Sequence, residues 1–326
     1  MDIRQIAHEI IQWGTFKQIQ DIYILPKQDN FELFSRKNHS RKLIKKVSIE
    51  EGNKLIVHFK FVGGMDIGEK RKPQLGSVSY TVNGETQRLR LSSVGDYYGR
   101  ESLVLRFLYA TDKQKQHFLL PKQIEIIKNN SLNRGLYLFS GPVGSGKTTI
   151  MYHLAKQKQN FPQLICIEDP VEIEEPSFLQ LQTNEKIDLT YDALIKLCLR
   201  HRPDLLIIGE IRDQRTAQAA IRAALTGHTV FATLHARNIS GVYNRLLELG
   251  IQKELLRECL KGIIYQQLLP CNLGEKGTKG TIDEAILFDY TFQINGYMQN
   301  QWIRYLRKVW AYGFISKQTY QKAKTE

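Results

Sequence analysis

Eight consecutive residues, Gly141–Thr148 (GPVGSGKT), constrain this chain more than anything else in it. The pattern is G-x-x-x-x-G-K-[ST], a loop that cradles phosphate with its backbone N–H groups. Gly141, Gly144 and Gly146 let the backbone curl so that those groups point inward. Lys147 supplies a positive charge for the β- and γ-phosphates, and Thr148 offers a hydroxyl to Mg²⁺. Pro142, Val143 and Ser145 complete the loop, and Thr149 continues it into the next element. Such a loop needs a strand before it and a helix after it, so that the helix's positive end faces the phosphates. Both are written here: Leu136–Phe139 is a short apolar strand, and Thr148–Lys158 reads as a helix. The site implied is one for ATP with Mg²⁺.

The region around the loop alternates between strands and helices, which implies a mostly parallel α/β sheet. Pro121 can open a helix carrying Ile124 and Ile127. Leu164–Ile167 and Thr229–Leu234 read as strands, and Leu205–Ile208 as a strand buried on both faces. Tyr191–Arg200 is a helix with Thr190 as its N-cap. Thr216–Leu225 is an Ala-rich helix ended by Gly227. Residues 1–110 read differently, as a smaller α+β lobe. Ile3, Ile6, Ala7, Ile10 and Ile11 share one helical face. Strand-like runs follow at Asp21–Leu25, Leu55–Phe61, Ser77–Val82, Arg88–Ser92 and Ser102–Leu108. Asn83-Gly84 is a hairpin-turn signal. The polar stretch within 111–118 serves as a linker, and 119–326 is expected to be the nucleotide domain with a helical C-terminal region.

Hydrolysis needs more than a cradle: acids at neighbouring strand ends must position water and hold the metal. Two segments supply them. Ile165–Glu172 (ICIEDPVE) runs a strand into Glu168-Asp169, and Leu205–Asp213 (LLIIGEIRD) runs one into Gly209-Glu210. In open α/β sheets ligands bind at these carboxyl ends. Gly209 stands where a metal-binding Asp is usual, so Glu210 is expected to carry that role alone. The residues leave the base open among Glu168, Glu172 and Glu210. His228 and His235 bracket the strand 229–234. No third ligand accompanies them, so they make no metal site. Transition-state charge calls for arginines; Arg90, Arg106, Arg200, Arg202 and Arg212 are candidates.

Composition excludes other classes. No apolar run approaches a membrane span, and the first residues lack a signal peptide's apolar core, so a cytoplasmic location is expected. The four cysteines form no C-x-x-C pair, which argues against zinc or a disulfide framework. A net charge of +13 admits an anionic partner. No dense basic block with interleaved aromatics accompanies it, however, and direct nucleic-acid binding is not expected. A RecA-like ring motor acting on DNA remains the alternative function.

The motifs together resemble the traffic ATPases of type II secretion and type IV pilus assembly. The resemblance runs from about Asp66 to Cys271. It rests on Met65-Asp66-Ile67 with Arg71 and Pro73-Gln74, on Leu89-Arg90-Leu91-Ser92, and on the cradle. Further along it rests on Glu168-Asp169-Pro170, Asn184-Glu185-Lys186, Arg202-Pro203-Asp204 and Gly209–Asp213. The last pieces are Ala223–His228 and Thr233-Leu234-His235. It implies a PAS-like N-terminal lobe, a RecA-like lobe, and a homohexamer in which one protomer's N-terminal lobe packs on the next protomer's nucleotide lobe. It further implies Glu168 as base or water-orienting group, Glu210 acting through Mg²⁺, His228 sensing the γ-phosphate, Arg90 and Arg106 reaching nucleotide, and Arg212 acting between subunits. The chain lacks the four-cysteine zinc subdomain of many members, and Asn300–Glu326 lacks the retraction motors' AIRNLIRE-like segment. Arg100 stands where Gly is usual, and Gln267 where Arg is common. These departures point to the competence-pilus assembly branch of Gram-positive bacteria. That branch implies work on a polytopic membrane platform protein and, indirectly, on pilins, with peripheral membrane association and a role in DNA uptake.

Overall fold

The computed structural model describes residues 2–37, 40–109, 116–131, 133–156, 162–273, 282–292 and 300–325. The chain divides into two compact units, Met1–Ala110 and Thr111–Glu326. Most of the 111–118 linker lies outside the described residues.

The N-terminal unit is a six-stranded antiparallel sheet in the order β3-β2-β1-β6-β5-β4. Its strands are β1 (Asp21–Pro26), β2 (Phe31–Lys37), β3 (Ser40–Val47), β4 (Gln74–Val82), β5 (Glu85–Gly95) and β6 (Glu101–Leu108). Alternation decides which face is inside: Leu89, Leu91, Leu103, Leu105 and Phe107 are buried. They pack on Ala7 and Ile11 of α1 (Ile3–Phe16) and on Leu55, Ile56 and Phe59 of α2 (Ile49–Val62). The β4–β5 hairpin turns through Asn83 and Gly84, at φ 52° and 81°, the left-handed pair a two-residue turn of this hand requires.

One strand expected from the sequence is a helix. Leu55–Phe61 lies in α2, which starts at Ser48, whose side chain accepts the Glu51 N–H at 3.1 Å. Glu50 and Glu51 sit in its first turn, where acids suit the helix dipole. Leu55, Ile56 and Phe59 follow helical spacing, and they are the residues that are buried. Strands β2 and β3 were not evident from the sequence.

The second unit carries a seven-stranded sheet, β13-β12-β7-β11-β10-β8-β9. These are β7 (Gly135–Ser140), β8 (Leu164–Glu168), β9 (Leu179–Gln182), β10 (Leu205–Ile208), β11 (Thr229–Thr233), β12 (Leu260–Leu273) and β13 (Ile282–Thr291). All neighbours are parallel except β12 and β13. Helices cover both faces. On one face, α3 (Pro121–Asn130) and α4 (Lys147–Lys156) bury Ile127, Ile150, Met151 and Tyr152 with Tyr137, Phe139 and Phe231. On the other lie α5 (Tyr191–Arg200), α6 (Gln214–Leu225), α7 (Ile239–Glu248), α8 (Lys253–Cys259) and α9 (Trp302–Ala311). A tenth helix, α10 (Lys317–Thr325), follows α9.

The fold is therefore α/β, a RecA-like P-loop unit with a smaller α+β unit. The C-terminal region is not wholly helical, because β12 and β13 extend the sheet beside β7. The four cysteines are buried. Among the described residues no helix is long and apolar enough to cross a membrane.

Candidate active site

β7 is buried at all six positions and delivers the chain into the loop 141–146. Gly141, Gly144 and Gly146 adopt φ of 144°, 78° and 82°, a region L side chains avoid. Lys147 opens α4, and its ammonium donates back to the carbonyls of Gly141 at 3.1 Å and Pro142 at 2.9 Å. Burial pulls the Lys147 amine down to about 8, against the opposing pull of Glu210 and Glu172. Thr148 and Thr149 are half-buried, and Val143 is exposed at the loop's tip. The loop's other wall is β12. The fully buried Gln266 donates its side-chain amide to the Ser145 carbonyl at 2.6 Å. The Ser145 hydroxyl is buried and has no hydrogen-bond partner among the described residues. A loop curled around a lysine that bonds its own carbonyls, with a spare buried hydroxyl, suits the oxygens of a polyphosphate.

Three neighbouring parallel strands, β8, β10 and β11, end on the same edge as β7. β10 ends at Gly209-Glu210. The Glu210 carboxylate is paired with Arg212, and its other oxygen lies 3.9 Å from His235 Nε2. Arg212 also reaches the Asp169 carboxylate at 3.2 Å. The guanidinium thus ties the carboxyl ends of β8 and β10 together within one protomer. His235 follows β11 on this edge. Burial, helped by Lys147 and Arg212, lowers its imidazole below the ordinary value, so it is neutral near pH 7.

Gly209 explains the missing aspartate. A Cβ there would sit 2.9 Å from the Tyr191 hydroxyl and 3.2 Å from both the Glu168 Cα and the Ile167 carbonyl. A side chain here would displace the Tyr191 hydroxyl and push the β8 backbone by a few tenths of an ångström, which disfavours an acid at this position.

Glu168 ends β8 and is 3 % exposed. Its side chain turns toward α4, where the Tyr152 hydroxyl donates to it. Burial lifts its carboxyl from the ordinary 4.5 to about 7, and the Tyr152 hydrogen bond works the other way. The folded value lies above the unfolded one, so the protonated form is the one the fold favours. The stabilisation is fully present below about 4.5 and is lost as pH rises through about 7. At 1.36 kcal/mol per unit, that loss is on the order of 3 kcal/mol. Glu168→Gln cannot ionise and is expected to flatten the fall in stability of the nucleotide-free protein between these values. Chemical denaturation across that range reads it, and an unchanged slope would refute it. Asp289, 1 % exposed and also raised to about 7 by burial, leaves a residual slope in the same direction.

The expected role of His228 needs correction. It stands at the amino end of β11, the opposite edge from the cradle. Five strand residues, roughly 17 Å of extended chain, lie between. There its Nδ1 is 3.2 Å from the Ala223 carbonyl and from the Thr226 hydroxyl, closing the end of α6. His235 holds the place at the cradle edge. Arg90 and Arg106 belong to the N-terminal unit. They face each other across β5 and β6, and Arg106 Nε bonds Asp21 at 2.8 Å.

Sequence reasoning missed Tyr152, Gln180, Tyr191 and Gln266. Tyr152 could have been found as the residue one helical turn beyond Thr148. Gln266 carried a signal too, a glutamine pair inside an otherwise apolar run (IIYQQLL).

Most of the chain is similar to known proteins. The family described as "Type II/IV secretion system protein" matches residues 2–316. Competence protein ComGA of Streptococcus pneumoniae is 53 % identical over 267 residues, covering 82 % of this chain and 85 % of that protein. Competence protein ComGA of Bacillus subtilis is 38 % identical over 285 residues, covering 84 % and 79 %. Among solved structures, the Legionella pneumophila ATPase DotB has the same fold, with a TM-score of 0.74 at 21 % identity, over 95 % of this chain and 93 % of that one.

Proposed function

The chain belongs to the type II/IV secretion system protein family, and from that premise we propose that it is the motor ATPase that drives assembly of a competence pilus for DNA uptake. What supports the chemistry is that Lys147, Glu168, Glu210 and His235 all stand at the carboxyl edge of four parallel strands. ATP enters with its phosphates on the loop N–H groups at the start of α4. Lys147 exchanges the Gly141 and Pro142 carbonyls for phosphate oxygens. Thr148 directly, and Glu210 through water, would hold Mg²⁺, which when bound neutralises phosphate charge. Glu168 takes the proton of the attacking water as its oxygen bonds the γ-phosphorus. The bond to the β–γ bridging oxygen breaks, and the electron pair leaves with ADP. His235 stands near enough to Glu210 to report the metal-bound state to β11.

The working form is a homohexamer, in which Arg90 and Arg106 of a neighbouring protomer's N-terminal unit supply charge to the γ-phosphate. Arg212, which ties Asp169 to Glu210, aligns the two acid-bearing strands within a protomer; action between subunits would require it to leave that bridge. The motor works in the cytoplasm against a membrane platform protein that passes its motion to pilins.

The test is complementation. In a competent host lacking its own copy, the gene encoding Glu210→Gln should restore neither surface pili nor transformation, whereas the unaltered gene restores both. Purified Glu210→Gln should bind ATP and hydrolyse it at least about 10²-fold more slowly. Restoration of piliation by this variant would overturn the reading. So would an ATPase rate that rises with added DNA, the mark of a motor acting on nucleic acid itself.

A further inference from the structure

The Glu168 carboxyl is held by a hydrogen-bond chain whose direction can be read from its first link. The Gln180 side-chain amide sits on β9, and its oxygen accepts the Glu175 N–H at 2.8 Å. Its nitrogen therefore faces the other way, donating to the Ile173 carbonyl and to the Tyr152 hydroxyl, both at 2.8 Å. The Tyr152 oxygen is thus an acceptor toward Gln180, and its own proton is directed at Glu168. The ring is fully buried, packed edge-on against Phe178 at 5.1 Å between centroids, which fixes the hydroxyl oxygen beside Glu168, with the Cys166 thiol as a second neighbour. Tyr152 lies one helical turn beyond Thr148, on the same face of α4. The chain therefore connects the phosphate-loop helix, the carboxylate at the end of β8, and the loop carrying Asp169 and Glu172.

We infer that Tyr152, oriented by Gln180, is the positioning residue that keeps Glu168 in its proton-accepting form and aims it during ATP cleavage. This rests on the assignment of Glu168 as the base. Tyr152 touches no phosphate; it acts through Glu168. Donating into the carboxylate stabilises the ionised form against the cost of burial. The Gln180 amide also hydrogen-bonds Glu168 itself. The Cys166 thiol and Tyr152 share its side of β8, Tyr191 approaches from α5, and Glu172 follows on the loop, giving both a charge that opposes ionisation and a backbone N–H that favours it. Tyr152 supplies the donor that α4 brings to this carboxyl.

The experiment is the single-turnover rate of ATP cleavage by the full chain as a function of pH. Tyr152→Phe keeps the ring and removes the donor. Its acidic limb should move to higher pH by about one unit, with the affinity for ATP unchanged. Gln180→Met, which removes the amide donor to both Tyr152 and Glu168 and keeps the bulk, should move the limb the same way. It also serves if Tyr152→Phe does not yield folded protein. Glu168→Gln tests the underlying assignment separately: it should lose cleavage at every pH. If Glu168→Gln is inactive while the limbs of Tyr152→Phe and Gln180→Met stay at the wild-type pH, the positioning role is refuted and the base assignment stands. If Glu168→Gln cleaves normally, the base assignment itself fails and the inference falls with it.

Discussion

Lys147→Ala is expected to lower ATP turnover by about 10³-fold or more, with no loss of fold. The two halves of that expectation have separate origins. Turnover falls because the ammonium is the positive charge placed at the cradle's own helix start, where the β- and γ-phosphates must lie. The fold survives because burial bears a cost for this lysine. Burial lowers its amine to about 8, below the 10.5 of an exposed lysine. The folded state thus disfavours the charged form. The penalty is fully present below about 8 and is relieved as pH climbs toward 10.5. Alanine removes this penalty and also removes the two hydrogen bonds to Gly141 and Pro142. Each such bond contributes about 1 kcal/mol net, so the terms largely cancel. Denaturation of the nucleotide-free variant should give a stability near wild type at pH 7, without the wild-type gain between pH 8 and 10.5. Turnover near the wild-type rate would remove the cradle from the mechanism.

The sequence made the cradle legible because its constraints are local. Three glycines, a lysine and a threonine are fixed by spacing, and the flanking strand and helix are fixed by apolar pattern. Glu210 followed from the same kind of reading, since an acid must close a buried strand at the ligand edge. The histidines show where such reading stops short. Both bracket one strand, and the pattern of apolar residues does not rank them. Strand direction does: parallel strands present their carboxyl ends to the ligand, which selects His235 and leaves His228 to finish α6. Helix α2 was read as a strand because Leu55–Phe61 is rich in residues that suit either element; its capping serine and acidic first turn carried the deciding information. The Tyr152–Glu168 and Gln180–Tyr152 bonds join residues 16 and 28 positions apart. No period connects such positions, so only the folded sheet brings them together.

Gly141→Ala is the second large effect, and it falls on folding. At φ 144° an L side chain is strained before any neighbour is considered. The added Cβ would also lie 2.0 Å from the Gln266 carbonyl oxygen and 2.9 Å from the Ser145 hydroxyl. That carbonyl cannot yield, because β12 is held on both sides. Tyr265 pairs with Ser140 of β7, and Gln266 pairs with Phe288 of β13. The variant should lose more than about 3 kcal/mol of stability and accumulate as insoluble protein. Gly144→Ala is the matched control. Its φ of 78° carries backbone strain, but nothing lies within 4 Å of the new Cβ, so it should cost about 1–2 kcal/mol and remain soluble. Denaturation midpoints of the two variants decide the matter, and equal losses would mean that backbone strain alone governs both. The contrast assigns different duties to glycines of one motif. Gly144 lets the loop bend toward phosphate, whereas Gly141 lets β12 lie against the loop. β12 then presents Gln266 to the Ser145 carbonyl. The curl of the cradle is therefore set by the sheet beside it, through a strand whose contact with the motif lies more than a hundred residues away in sequence. Nucleotide meets a loop whose shape the sheet has already fixed.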